Sequence, residues 1–241
     1  MDSEGPDCKV RAGALRFTAM TQRPQQLALE LLQPPRPSFD SFVVGRNAEA
    51  VAALRATAAG SGERFVNLWG RPGSGRSHLL QAIAGCGPSR SCSASDAPIE
   101  YEPSVRFYLI DDVDRLSEIG QHRLFVLLNE VRAAPAAAVV TAGDRPPAQL
   151  ALRDDVRTRL GWGLVYQLHE LSDTEKEDAL RAHAAARGIA LPSEVLAYVL
   201  THMPRDMRTL MAVLDALDAY AMAAKRAITV PLVREWAQSA A

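Results

Sequence analysis

Cysteine is scarce in this chain. Cys8, Cys86 and Cys92 are three in 241 residues, an odd number that cannot all pair. No Cys-x-x-Cys spacing is present, which excludes a thiol metal ribbon or redox motif and leaves reduced thiols as the expectation. The five histidines are scattered, none at metal-ligand spacing. Neither sign of charge prevails: 27 Lys and Arg stand against 28 Asp and Glu, a net charge of -1. Strong autonomous DNA binding favours a basic domain, so it gains little support. No apolar run approaches the ~18 residues of a membrane span. Residues 1–20 carry Lys9, Arg11 and Arg16 but no continuous apolar stretch, so no signal peptide is read and the cytoplasm is expected. No internal repeat is found. What the chain does have is 48% hydrophobic and 23% charged residues, a composition that folds. Its length suits one α/β domain and a small helical one.

Prolines 24, 34, 35 and 37 break the first 38 residues into a flexible tail. Within it Leu27, Leu29, Leu31 and Leu32 form a short apolar string beside Gln25 and Gln26. Order is expected from Phe39, with a helix N-capped by Asn47 and running through Val51 and Leu54. Phe65–Trp69 is a short apolar run stopping at Gly70, as a buried parallel strand would. A helix starts near Ser77. Residues 85–104 are rich in Gly, Ser and Pro and read as a loop, in which Ile99 and Tyr101 mark an edge strand. Val105–Ile110 predicts a strand, residues 124–131 a helix, Ala137–Thr141 and Leu164–Leu168 two more strands. Strands alternating with helices imply βαβ units and a parallel sheet. From Ser172 the pattern is helical only. Ser172 with Glu175 predicts a capping box, Gly188 a stop, Pro192 and Pro231 two helix starts, and Leu210, Val213, Leu214, Leu217 and Tyr220 the buried stripe of another helix. The organisation expected is a tail over 1–38, an α/β domain over 39–170 and helices over 171–241.

Gly70-Arg71-Pro72-Gly73-Ser74-Gly75-Arg76-Ser77 has the spacing G-x-x-x-x-G-[K/R]-[S/T] between a strand and a helix. Glycines there let backbone N–H groups turn around phosphate oxygens, and the helix N-terminus adds positive charge. The alternative is a plain glycine turn. Ser74 is not in a Gly-x-Ser-x-Gly elbow, which disfavours a serine hydrolase. The nucleotide-binding set so read is Gly70, Pro72, Gly73, Ser74, Gly75, Arg76, Ser77 and the adjoining His78. Ser77 would place its hydroxyl on Mg²⁺. Arg76 departs from the usual lysine, and its longer planar fork keeps the charge but suits γ-phosphate transfer badly. Nucleotide binding with poor hydrolysis is the expectation. Asp111 and Asp112 end a strand in the manner of a Walker B motif: Asp111 for Mg²⁺, Asp112 to orient an attacking water. Asp144 is read as a polar sensor of the γ-phosphate, or as a turn residue ahead of Pro146-Pro147.

At this point the sequence resembles the DnaA clan of AAA+ proteins. Phe39-Asp40-Ser41-Phe42-Val43-Val44-Gly45-Arg46-Asn47 resembles the segment that precedes the P-loop there and borders the base. Leu109-Ile110-Asp111-Asp112 resembles the Walker B strand, and Gly143-Asp144-Arg145-Pro146-Pro147 the sensor 1 turn. Arg157-Thr158-Arg159-Leu160 with Gly161-Trp162-Gly163 resembles the segment bearing the arginine finger, which falls on Arg159. Asp206-Met207-Arg208-Thr209-Leu210 resembles the sensor 2 helix, with Arg208 its arginine. The resemblance is to the Hda-type branch in three respects: Arg in the P-loop, a chain expected to stop after the lid helices without the helix-turn-helix domain, and Gln26-Leu27-Ala28-Leu29-Glu30-Leu31. That hexapeptide is similar to the branch's sliding-clamp-docking peptide, with Gln26, Leu27, Leu29 and Leu31 as contacts; the lesser alternative is a short extended segment folding back on its own domain. The resemblance implies an α/β AAA+ P-loop fold with a helical lid, and ADP or ATP with Mg²⁺. It also implies DnaA and the DNA polymerase III sliding clamp (the beta subunit) as partners, with DNA reached only through the clamp, and a possible homo-oligomer. It implies negative regulation of replication initiation, Arg159 entering DnaA's ATP site in trans with at most weak turnover of the chain's own nucleotide. The alternative for Arg159 is an i,i+4 pair with Asp155. Two competing functions are a free-standing AAA+ ATPase such as a helicase loader and a DNA-binding initiator fragment.

Overall fold

The computed structural model describes residues 36–94, 100–204 and 206–240. The apolar runs become strands: β1 Phe65–Trp69, β2 Ser89–Cys92, β3 Phe107–Ile110, β4 Ala138–Gly143 and β5 Leu164–Gln167. They form one sheet in the order β2-β3-β4-β1-β5, with every pair parallel. A parallel sheet needs cover on both faces. It comes from α1 Ala48–Ala59 and α2 Arg76–Ala84 on one side and α3 Glu118–Ala133 and α4 Asp154–Leu160 on the other. Side chains alternate across the strands. Phe107, Leu109, Val140 and Ala142 pack with Leu54, Leu79 and Ile83, whereas Tyr108, Ile110 and Val139 pack with Leu124, Leu128 and Val131.

From Asp173 the chain is helical: α5 Asp173–Arg187, α6 Ser193–His202, α7 Met207–Ala224 and α8 Val230–Ala240. These helices share their own apolar cluster, centred on Leu180, Val199, Leu214, Leu217, Leu232 and Trp236. The capping box is present: the Glu175 N–H donates to Ser172 Oγ at 3.2 Å and the Ser172 N–H to Glu175 Oε2 at 2.7 Å. Leu210, Val213, Leu214 and Leu217 are buried as the stripe predicts, while Tyr220 is half-buried and its hydroxyl donates to Glu235. No helix among the described residues is long and apolar enough to cross a membrane.

Two expectations are corrected. The edge strand is β2, Ser89–Cys92, not a segment at Ile99 and Tyr101. Ile99 lies outside the described residues, and Tyr101 stacks on Tyr108 rather than pairing in the sheet. An outermost strand is held by main-chain hydrogen bonds to β3, so Ser and Arg side chains serve there and the apolar pattern is silent. Asn47 stands at the N-cap position of α1 but makes no side-chain cap bond. Its amide instead donates to the His169 carbonyl at 3.0 Å and accepts the His169 N–H at 2.8 Å, tying the start of α1 to the chain leaving β5.

Candidate nucleotide-binding site

β1 sits between β4 and β5, so the chain order along the sheet reverses at its C-terminal end, where open α/β sheets bind ligands. The Gly70 N–H donates to the Gly143 carbonyl at 3.2 Å, and the Leu168 N–H to the Trp69 carbonyl at 2.7 Å. The loop that follows is thus anchored on both sides. Gly73 and Gly75 have φ of 88° and 93°, which L side chains rarely adopt. A Cβ on Gly75 would also lie 2.5 Å from Phe42, whose ring packs on the loop. The loop then opens α2, whose first-turn N–H groups and dipole favour an anion.

Two buried polar atoms in this loop have no partner among the described residues: Ser74 Oγ and Arg76 Nη1. Buried polar groups are nearly always paired, so unpaired donors in a glycine loop fit phosphate oxygens as their partners. Ser77 Oγ donates to Asp111 Oδ2 at 2.5 Å, so the helix hydroxyl and the strand-end carboxylate meet at one point. A hydroxyl and one carboxylate are hard oxygen donors of the kind Mg²⁺ takes, together with phosphates and waters. Among the described residues no group of three or more His, Cys, Asp or Glu makes a metal cage by itself. Arg76 Nη2 lies 3.7 Å from Asp112 Oδ1.

The remaining expected residues fall around this centre. Asp144 directly follows Gly143 at the end of β4, its N–H donating to Asp114 Oδ1 at 3.1 Å. Its own carboxylate is partly exposed and 3.7 Å from Arg145. His78 is covered by the 38–42 segment: Nε2–H donates to the Ser38 carbonyl at 2.9 Å, and the ring meets Phe42 edge-on at 5.3 Å. Burial holds its pKa below the usual imidazole range, against the Ser38 hydrogen bond, and the positive charge of Arg208 lowers it further. Arg208, exposed in the first turn of α7, is near enough to His78 for its charge to act there.

Arg159 is elsewhere, near the end of α4. Its Nε donates to Asn129 Oδ1 at 3.1 Å and Nη1 to the Asp155 carbonyl at 2.9 Å. The guanidinium carbon lies 3.9 Å from the Phe125 ring centroid and 5.0 Å from that of Trp162. Arg159 thus meets the backbone of Asp155, whereas the Asp155 carboxylate pairs with Arg153. The aromatic cradle escaped the sequence reading except for Trp162, and Asn129 gave no signal because nothing in a helix pattern marks its partner. Gln26, Leu27, Leu29 and Leu31 lie outside the described residues.

The fold and this loop define an AAA+ P-loop protein with a helical lid. A family model described as the Hda lid domain matches residues 173–236, and a model of the bacterial DnaA ATPase domain matches residues 99–167. Among solved structures, the chain is similar to domain III of the Thermotoga maritima replication initiation protein DnaA, at 23% identity and a TM-score of 0.66, covering 85% of this chain and 98% of that one. It is similar to AMPPCP-bound DnaA from Aquifex aeolicus at 22% identity and a TM-score of 0.61, over 76% of this chain and 65% of that one. It is also similar to the Thermotoga maritima RuvB Holliday junction branch migration motor, at 17% identity and a TM-score of 0.58, over 86% of this chain and 72% of that one. The chain thus matches an Hda-type lid over its C-terminal helices and a DnaA-type ATPase domain over part of its sheet, on a DnaA-like fold.

Proposed function

We propose that this chain is a DnaA-related negative regulator of replication initiation, which binds ADP with Mg²⁺ and, with the DNA-loaded sliding clamp, stimulates hydrolysis of DnaA-bound ATP. The observation that carries the reading is an Hda-type lid on a DnaA-type domain whose phosphate loop has arginine at its lysine position. In it, Gly73, Ser74, Gly75 and Arg76 hold phosphate, Ser77 and Asp111 hold Mg²⁺, and Asp144 and Arg208 flank the site. The AMPPCP bound by the Aquifex relative supports a nucleotide here. Arg159 serves DnaA's site rather than its own, where it supplies charge to the γ-phosphoryl group in transfer. Gln26, Leu27, Leu29 and Leu31 dock on the clamp as an extended peptide filling pockets with alternate side chains.

The test is loss of DnaA-bound ATP with and without DNA-loaded clamp. Acceleration only with both the chain and loaded clamp is expected, and an unchanged rate contradicts the reading. A second reading, a free-standing ATPase, is favoured by the intact Asp111-Asp112 pair. Steady-state hydrolysis by the chain alone separates the two.

A further inference from the structure

Arg76 opens α2 directly after the left-handed Gly75, and its side chain turns toward the end of β3. Nη2 lies 3.7 Å from Asp112 Oδ1, with the arginine side chain 11% exposed and the aspartate 35%. The other terminal nitrogen, Nη1, is buried without a partner among the described residues. Asp112 is itself left-handed, with φ 49°, and its N–H donates to Asp111 Oδ1 at 2.9 Å. A non-glycine residue rests in that region when its neighbours hold it there. The guanidinium of Arg76 lies beside the Asp112 carboxylate. A lysine ammonium is a single point charge, whereas a guanidinium presents separate donor edges in a rigid plane. The arginine can therefore serve two anions at once.

We infer that Arg76 is a positioning residue that latches Asp112: one edge of its fork holds the carboxylate, and Nη1 is left for a phosphate oxygen. The inference rests on the reading that this loop holds a nucleotide. In hydrolysis of a nucleoside triphosphate, water attacks the γ-phosphorus and its bond to the β–γ bridging oxygen breaks. The nucleoside diphosphate and inorganic phosphate are the products, and the proton of the water needs an acceptor. Asp112 is the carboxylate at the strand end placed to orient that water or take its proton. With Oδ1 drawn toward the Arg76 guanidinium 3.7 Å away, the carboxylate is held away from the position that serves the attacking water, while the loop keeps its grip on phosphate. The substitution of arginine for lysine thus separates holding a nucleotide from turning it over. This makes the site suited to retaining a diphosphate and reporting its presence.

The experiment uses the full chain as wild type, Arg76→Lys, Asp112→Asn and the double variant. ADP affinity is read by titration calorimetry, ATP turnover in the absence of any partner, and thermal unfolding of the nucleotide-free protein. Arg76→Lys is expected to keep ADP affinity within about threefold and to raise turnover by about tenfold or more, a gain that Asp112→Asn removes. The two single substitutions are expected to lower the unfolding midpoint non-additively, because they break one pair. Turnover in Arg76→Lys as low as wild type, or additive shifts, with ADP binding intact, overturns the latch alone. Failure of the wild-type chain to bind ADP overturns the reading of the loop and the latch with it.

Discussion

Gly75 and His78 bracket the first turn of α2, and each carries a distinct physical demand. Gly75 combines a left-handed backbone with a ring 2.5 Å from where a Cβ would sit. Gly75→Val with Arg76→Ala should abolish ADP binding by calorimetry, and ADP affinity equal to wild type would refute the phosphate assignment. His78 has its pKa lowered by burial, so the folded state resists its protonation. The unfolded chain takes the proton at about pH 6.5, so the contribution of His78 is complete above that value and is lost as pH falls through it toward the lower folded value. Unfolding free energies of wild type and His78→Gln should therefore converge or cross as pH is lowered from about 7.5 to 5.5. A constant difference would contradict the burial argument. The phosphate loop and the two aspartates were legible because strand, glycine spacing and helix are contiguous in sequence. The partners of Arg76, His78 and Asn47 were not, because each bond joins segments far apart in the chain.

At the scale of elements, the buried strands were legible to within a few residues from their apolar runs, since a central parallel strand is covered on both faces. β2 was not, because its polar residues pair through the main chain alone. The start of β5 depends on a glycine for close approach. A Cβ at Gly163 would lie 1.9 Å from the Phe65 carbonyl oxygen, a backbone atom of β1 that cannot swing away. Gly163→Ala should force β5 from β1 and cost about 1–3 kcal/mol, seen as a lower urea midpoint with unchanged slope. Wild-type stability would mean that the strands separate at no cost. Gly163 lies in the same segment as Arg159 and Trp162, so the same substitution disturbs the setting of the proposed finger.

Across the whole molecule, the two arginines proposed to act on nucleotide are placed differently. Arg208 lies within electrostatic reach of His78 beside the chain's own phosphate loop. Arg159 is held by Asn129, Phe125 and Trp162 on the α3–α4 side of the sheet. A guanidinium held by rings and an amide has less freedom to lose when it meets a phosphoryl group, which favours catalysis by positioning. Arg208→Ala should weaken ADP binding first, and Arg159→Ala should leave it as in wild type. The most direct measurement is the rate of loss of DnaA-bound ATP with DNA-loaded clamp and either wild type or Arg159→Ala. The account predicts that wild type accelerates it and Arg159→Ala does not, with a difference on the order of 10³–10⁵ if the finger acts as in other nucleotide hydrolases. Acceleration by Arg159→Ala at the wild-type rate would contradict it.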